Sequence, residues 1–267
     1  MSATLTNSAL WIRRFHSAHE AAPRLVCLPH AGGSASFYFP MSKTLSPHIE
    51  VLTIQYPGRQ DRRLEPCVED IGDLADLICA ALEQSGDRDR PLSLFGHSMG
   101  ATLAFEVAVR LEREKRPATR LFLSGRRAAC RYRAETVHLR DYTGLMEELR
   151  LLEGMDLALL KDPDALAMVL PSIRSDYTAI ESYLAKPGVS VSCPVTVLTG
   201  DRDPKTTLDE AEDWRRHTTG PFELRVFEGG HFFLVDHASE VLRLVSERIL
   251  QTGNAARVPR SPRNGRA

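Results

Sequence analysis

Ser98 stands in Gly96-His97-Ser98-Met99-Gly100, where the apolar run Leu92-Ser-Leu-Phe95 gives way to a helix-like segment from Ala101 to about Glu114. A serine hydroxyl attacks well only when a base takes its proton, and that base is usually a histidine oriented by a carboxylate. A strand that ends in Gly-x-Ser-x-Gly and turns at once into a helix suits a serine to that role. Glycines lack Cβ atoms, so strand and helix can crowd around a strained turn. Unpaired N–H groups at the helix start then lie beneath the serine and favour an oxyanion. Taken alone, the pentapeptide is also compatible with chance, because all its residue types occur in loops.

The chemistry therefore requires an acid and then a histidine further along the chain. Val195–Leu198 leads into Thr199-Gly-Asp201-Arg-Asp203-Pro204, and Leu224–Phe227 leads into Glu228-Gly-Gly-His231-Phe232. Both turns fall at the carboxyl ends of apolar runs, where open α/β sheets place their sites. Asp201 is nearer its strand and suited to bonding local backbone. Asp203 lies further out, within reach of a histidine, and is the favoured acid. His231 sits on a loop and is favoured over His237, which begins the last helix. His97 should point away from Ser98, as neighbours at a sharp turn do, and the loop residue His30 is given no proton transfer. An oxyanion needs two donors. The Met99 N–H is one, and the other is placed around Ala31 in His30-Ala-Gly-Gly33.

The elements that must hold these residues follow from the apolar pattern. Arg24–Pro29, Ile49–Gln55, Leu92–Phe95, Arg120–Ser124, Cys193–Gly200 and Phe222–Glu228 are short apolar runs. They suit strands covered on both faces. Helix-length segments separate them, such as Val68–Gln84 with Ile71, Leu74, Ala75, Ile78 and Leu82 at helical spacing. The reading is an α/β fold with a mainly parallel central sheet flanked by helices. Trp11–Phe15 is expected as a short edge strand in an otherwise loosely attached segment 1–22. Between about residues 128 and 187 no strand is expected. Two helical patterns, Leu139–Leu152 and Asp162–Tyr183, form an insertion placed where a lid would cover the site. The Asp162-Pro163 pair reads as an N-cap with proline at the first helical position. Residues 1–251 are expected to form one domain and 252–267 a disordered tail.

Composition fits a globular enzyme. The chain has 267 residues, 43% hydrophobic and 26% charged, enough for a sizeable core. A formal net charge of −1 creates no field to recruit nucleic acid or a membrane surface. No apolar run approaches a spanning helix of about 20 residues, and no signal peptide is visible at the N-terminus. Five widely spaced cysteines without a CxxC pair read as free thiols in a reducing compartment. The expectation is a cytoplasmic protein with no metal site.

The motifs Pro29-His-Ala-Gly-Gly-Ser-Ala-Ser36, Gln55-Tyr-Pro-Gly-Arg-Gln-Asp-Arg62, Phe95-Gly-His-Ser-Met-Gly100, Gly200-Asp-Arg-Asp-Pro204 and Gly229-Gly-His-Phe-Phe233 narrow the reading. Over about residues 11–250 the chain resembles the type II thioesterases of polyketide and nonribosomal peptide synthesis, members of the α/β-hydrolase superfamily. The resemblance implies hydrolysis of acyl thioesters from the phosphopantetheine arm of acyl carrier or peptidyl carrier domains, clearing stalled or misprimed units. It implies Ser98, Asp203 and His231 as the catalytic triad and the N–H groups of Ala31 and Met99 as the oxyanion hole. It also implies a lid in the helical insertion, a monomer, and no cofactor beyond the pantetheine carried by the substrate. Arg59 belongs to a family motif, with loop anchoring and partner contact both open as roles. The alternatives are a small-molecule carboxylesterase or lipase with the same triad, and a catalytically silent binding protein of the same fold.

Overall fold

The computed structural model describes residues 7–86, 88, 90–152 and 163–256. Seven strands form one sheet: β1 (Ile12–Arg13), β2 (Arg24–Leu28), β3 (Glu50–Ile54), β4 (Leu92–His97), β5 (Arg120–Ser124), β6 (Val195–Gly200) and β7 (Phe222–Phe227). Their order is β1-β3-β2-β4-β5-β6-β7. β1 pairs antiparallel with β3 and every other pairing is parallel. The expected α/β architecture is therefore the one observed.

Strand side chains alternate between two cores, as the two-residue period of a strand requires. Val26, Leu28, Leu52, Leu94, Leu121 and Val197 face one side. There they meet α1 (Ser8–Trp11), α3 (Ile71–Gln84) and α4 (Met99–Arg113). Leu25, Cys27, Val51, Phe95, Phe122 and Leu198 face the other side. They pack on α2 (Phe39–Leu45) and on α9 (Ala238–Ala256). Each fully buried Leu or Phe contributes about 1.5–3 kcal/mol of transfer free energy, so both helical layers are strongly held. α3 begins where Asp70 accepts the Asp73 N–H at 2.9 Å, and its buried face reads Ile71, Leu74, Ala75, Ile78, Ala81, Leu82.

Between β5 and β6 lies the expected helical insertion, with α5 (Tyr142–Leu152) and α6 (Pro163–Glu181). The Asp162 cap lies outside the described residues. Short helices α7 (Leu208–Glu212) and α8 (Phe233–Asp236) follow β6 and β7. A Thr207/Glu210 capping box explains how so short a segment as α7 is held.

Two expectations need correction. The segment 1–22 is not loosely attached throughout, because Trp11 and Ile12 are buried and the Arg62 guanidinium lies 4.4 Å from the Trp11 ring centroid. The tail also does not begin at Thr252, since α9 continues to Ala256. Each residue added to a helix costs little once the helix exists, and the first proline beyond is Pro259. Residues 257–267 lie outside the described segment.

At the end of β4 the chain turns through Ser98 with φ +54° and ψ −120°. Such a backbone costs of order 1–3 kcal/mol for a residue with a side chain. Its surroundings leave no alternative. A Cβ on Gly96 would lie 1.9 Å from the Gly100 carbonyl oxygen, and one on Gly100 would lie 2.0 Å from that of Leu28. The Ser98 N–H donates to the Ser124 carbonyl at 2.8 Å, clamping the turn to the neighbouring strand. Gly100→Ala should therefore destabilise the fold by about 3 kcal/mol or more, at or beyond the top of the usual overpacking range. Urea denaturation tests this, and a loss under 1 kcal/mol would show that the contact relaxes.

Candidate active site

Ser98 and His231 line one cavity of about 380 Å³ above the carboxyl edge of the sheet. The elbow at the end of β4 supplies Ser98. β7 supplies His231 three residues after Glu228, on the loop that α8 then closes. Asp203 comes from the turn after β6. Both Asp203 oxygens lie within hydrogen-bonding distance of His231 Nδ1, at 3.0 and 2.9 Å, and both residues are buried. A carboxylate is an acceptor here, so Nδ1 carries the proton and Nε2 is the basic nitrogen.

Asp201, expected to bond local backbone, instead accepts the Gly229 N–H at 2.8 Å and so braces the neighbouring histidine loop. His237 Nε2 lies 2.8 Å from the Glu228 carbonyl, at the head of α9, and does not reach Asp203. His97 bonds the Ser124 hydroxyl through Nδ1 at 3.0 Å, and its ring centroid is 5.0 Å from that of His231. It acts as packing beneath the His231 ring. His30 lines the cavity, wedged edge-on between Phe37 and Phe232.

Met99 opens α4, so its N–H has no partner within the helix. Ala31 also lines the cavity, in a turn closed by the Gly33 N–H donating to the His30 carbonyl at 2.9 Å. The rest of the wall mixes apolar Phe37, Phe232, Leu149, Leu152 and Tyr177 with Ser34 and Ser36. Leu149, Leu152 and Tyr177 come from α5 and α6, so the insertion contributes part of the cavity wall.

Two ion-pair groups tie the insertion to the site. Lys205, two residues past Asp203, reaches Glu148 of α5 at 2.6 Å and Glu135 at 2.5 Å. Burial favours the neutral form of Glu135, but Lys205 and Arg127 outweigh it and hold its carboxyl at about 2. Arg59 makes a two-pronged pair with Asp176 of α6, at 2.7 and 2.8 Å, with both side chains buried. Burial opposes the charge on Arg59, yet the Asp176 carboxylate prevails and raises its pKa. The open role of Arg59 is thus settled as loop anchoring. Its partner Asp176 was missed along the sequence. The available signal was a carboxylate on the same helix face as Ile173, Tyr177 and Ile180, all buried, since a charge on an apolar face must find a partner.

The family can now be read against this geometry. The thioesterase domain model matches residues 23–249. The chain belongs to the thioesterase family. It is 50% identical over 260 residues to thioesterase PikA5 of Streptomyces venezuelae, covering 96% of this chain and 92% of that one. A protein of Streptomyces griseus named as a probable cadicidin biosynthesis thioesterase is 54% identical over 234 residues, 88% of this chain. The matched region spans 64% of the length of that relative. The solved structure of BorB, a type II thioesterase from the borrelidin biosynthetic cluster, superposes with a TM-score of 0.85 at 46% identity. That match covers 90% of this thioesterase and 98% of BorB.

The packed imidazoles give the enzyme an acid-sensitive core. Burial, reinforced by His231 and Arg59, pushes His30 from the ordinary 6.5 down to about 3. Burial likewise holds His97 well below its usual value. Between pH 6.5 and 3 the unfolded chain binds the His30 proton and the folded chain does not. Stability is then lost as pH falls, by up to about 1.4 kcal/mol per pH unit for each such group. His30→Asn should lose less stability between pH 7 and pH 5 than the native chain, measured by urea unfolding. Equal losses would place the acid sensitivity elsewhere.

Proposed function

We propose that Ser98, Asp203 and His231 are the catalytic triad of a type II thioesterase that removes acyl groups from carrier proteins in polyketide or nonribosomal peptide synthesis. One observation carries this reading. The buried His231–Asp203 pair opens onto the same cavity as a serine held at positive φ over a helix N-terminus. The Streptomyces griseus relative, named as a probable cadicidin biosynthesis thioesterase, and BorB, named as a type II thioesterase from the borrelidin biosynthetic cluster, support the biosynthetic setting.

In the proposed reaction His231 Nε2 takes the Ser98 proton as Oγ adds to the thioester carbonyl. The N–H groups of Ala31 and Met99 stabilise the resulting oxyanion together with the α4 N-terminus. Collapse breaks the C–S bond, and the protonated imidazole supplies the proton that leaves with the pantetheine thiol. The same histidine then deprotonates water as it attacks the acyl-serine, and collapse breaks the Oγ–C bond, releasing the acid while the imidazolium returns the proton to Ser98 Oγ. A thiol leaves readily, so the first step needs little acid assistance. Asp203 stabilises the imidazolium throughout. The steps use no metal or cofactor of the enzyme, because the phosphopantetheine arm arrives with the substrate.

An apolar wall of Leu149, Leu152, Phe37 and Phe232 suits the acyl chain, and the α5–α6 insertion serves as the lid. Work as a monomer in the cytoplasm completes the proposal. It accords with five free cysteines. No helix among the described residues is long and apolar enough to cross a membrane.

Ser98→Ala should lower hydrolysis of an acyl carrier protein thioester by at least about a thousandfold while leaving the far-ultraviolet spectrum unchanged. Near-normal turnover would remove Ser98 from the mechanism. A panel of acyl groups offered on carrier protein and as matched oxygen esters tests the substrate class. The carrier thioesters should be preferred, whereas fast, carrier-independent ester cleavage would point to a carboxylesterase.

A further inference from the structure

The steps above leave the buried Arg59–Asp176 pair without a task, yet it reaches the backbone that supplies one of the proposed oxyanion donors. Asp176 Oδ2 accepts the Gly32 N–H at 2.7 Å, a contact spanning 144 residues of chain. Arg59 Nη1 bonds the same Oδ2 at 2.7 Å and also donates to the Gly33 carbonyl at 3.1 Å. Gly32 has φ +73°, and a Cβ there would lie 2.6 Å from Ile173 Cγ1 on the same helix as Asp176. The turn His30-Ala31-Gly32-Gly33 is thus closed internally by the Gly33 N–H to the His30 carbonyl, with its third residue in the left-handed region that such a turn requires.

The direction of the Ala31 N–H follows from that turn. The His30 carbonyl faces inward to Gly33, and in a trans peptide the N–H of the next residue points the opposite way. We propose that Asp176 is a positioning residue for the oxyanion pocket, holding this turn through Gly32 and Arg59 so that the Ala31 N–H is aimed before substrate arrives. Donors fixed in advance need no reorganisation during reaction. The inference rests on the reading of Ala31 as a donor. It adds that a carboxylate on the helix covering the cavity governs that donor, so insertion and oxyanion pocket form one unit.

The test compares the native enzyme with Asp176→Asn and Arg59→Lys, using an acyl N-acetylcysteamine thioester and an alkyl trifluoromethyl ketone that forms a tetrahedral adduct with a serine. Asparagine keeps the shape of the carboxylate but cannot bind the guanidinium as an ion. Lysine keeps the charge but not the fork. Asp176→Asn should lower kcat per titrated active site by about 100-fold, with KM changed less than threefold. Affinity for the ketone should fall by a similar factor. The double variant should be no more than threefold worse than the worse single, because both act through one turn. A purely structural role would reduce the fraction of titratable sites and leave kcat per site unchanged, which would overturn the proposal. So would an effect confined to KM, or unaltered ketone affinity. If Asp176→Asn does not fold, Arg59→Lys carries the same comparison, and unchanged kcat and ketone affinity there overturn the proposal. Failure of the triad reading is distinct: the native enzyme would then form no ketone adduct on Ser98.

Discussion

Backbone crowding where β4 meets α4 is the constraint on which the rest of the site depends. Two glycines bring strand, helix and the end of β2 within contact of one another, and Ser98 is carried at positive φ because no relaxed path exists between them. The strain is small beside the free energy of the packed layers on either side. It orients the Ser98 side chain and, by starting a helix at the next residue, provides an unpaired N–H. The hydroxyl and the proposed oxyanion donor at Met99 therefore share one cause.

Around that fixed point, the remaining parts come from separate loops at the same sheet edge. The turn after β6 and the loop after β7 meet because those strands are adjacent and parallel. Asp201 and Asp203 divide the work there: one bonds the Gly229 backbone and the other faces His231. Below His231 lie His97 and then His30, both kept neutral by burial. In the proposed reaction, uncharged neighbours spare His231 a repulsion when it takes up a proton.

The insertion between β5 and β6 does more than cover. It meets the site at two charged points, Glu148 with Lys205 and Asp176 with Arg59. Buried ion pairs are costly to break, because removing one partner strands the other charge, at about 3–5 kcal/mol. Any movement of α5 or α6 away from the cavity must separate these charges or carry both partners along. Access to the cavity and the geometry of its rim are in this way mechanically connected.

Much of the molecule was legible from sequence. Short, nearly continuous apolar runs placed six of the strands, and Ser98, Asp203 and His231 could be named as candidates because each follows such a run at the edge where parallel strands end. Local chemistry decided these features: glycine at a forced turn, apolar continuity in a covered strand, residue order along the chain. The edge strand expected near Trp11 is present as β1, but the attachment of segment 1–22 and the end of α9 were misjudged, since short or polar segments carry little periodic signal and are held by contacts from elsewhere. The role of Arg59 lay beyond reach for the same reason. Its partner stands 117 residues away on a helix of the insertion, and no local pattern specifies which buried cation a carboxylate on an apolar face will meet. The sequence by itself determined the candidate reacting groups and the strands that carry them. Only the tertiary structure decided what holds the Ala31 turn in place, because that depends on desolvated charges brought together by the packing of the whole domain.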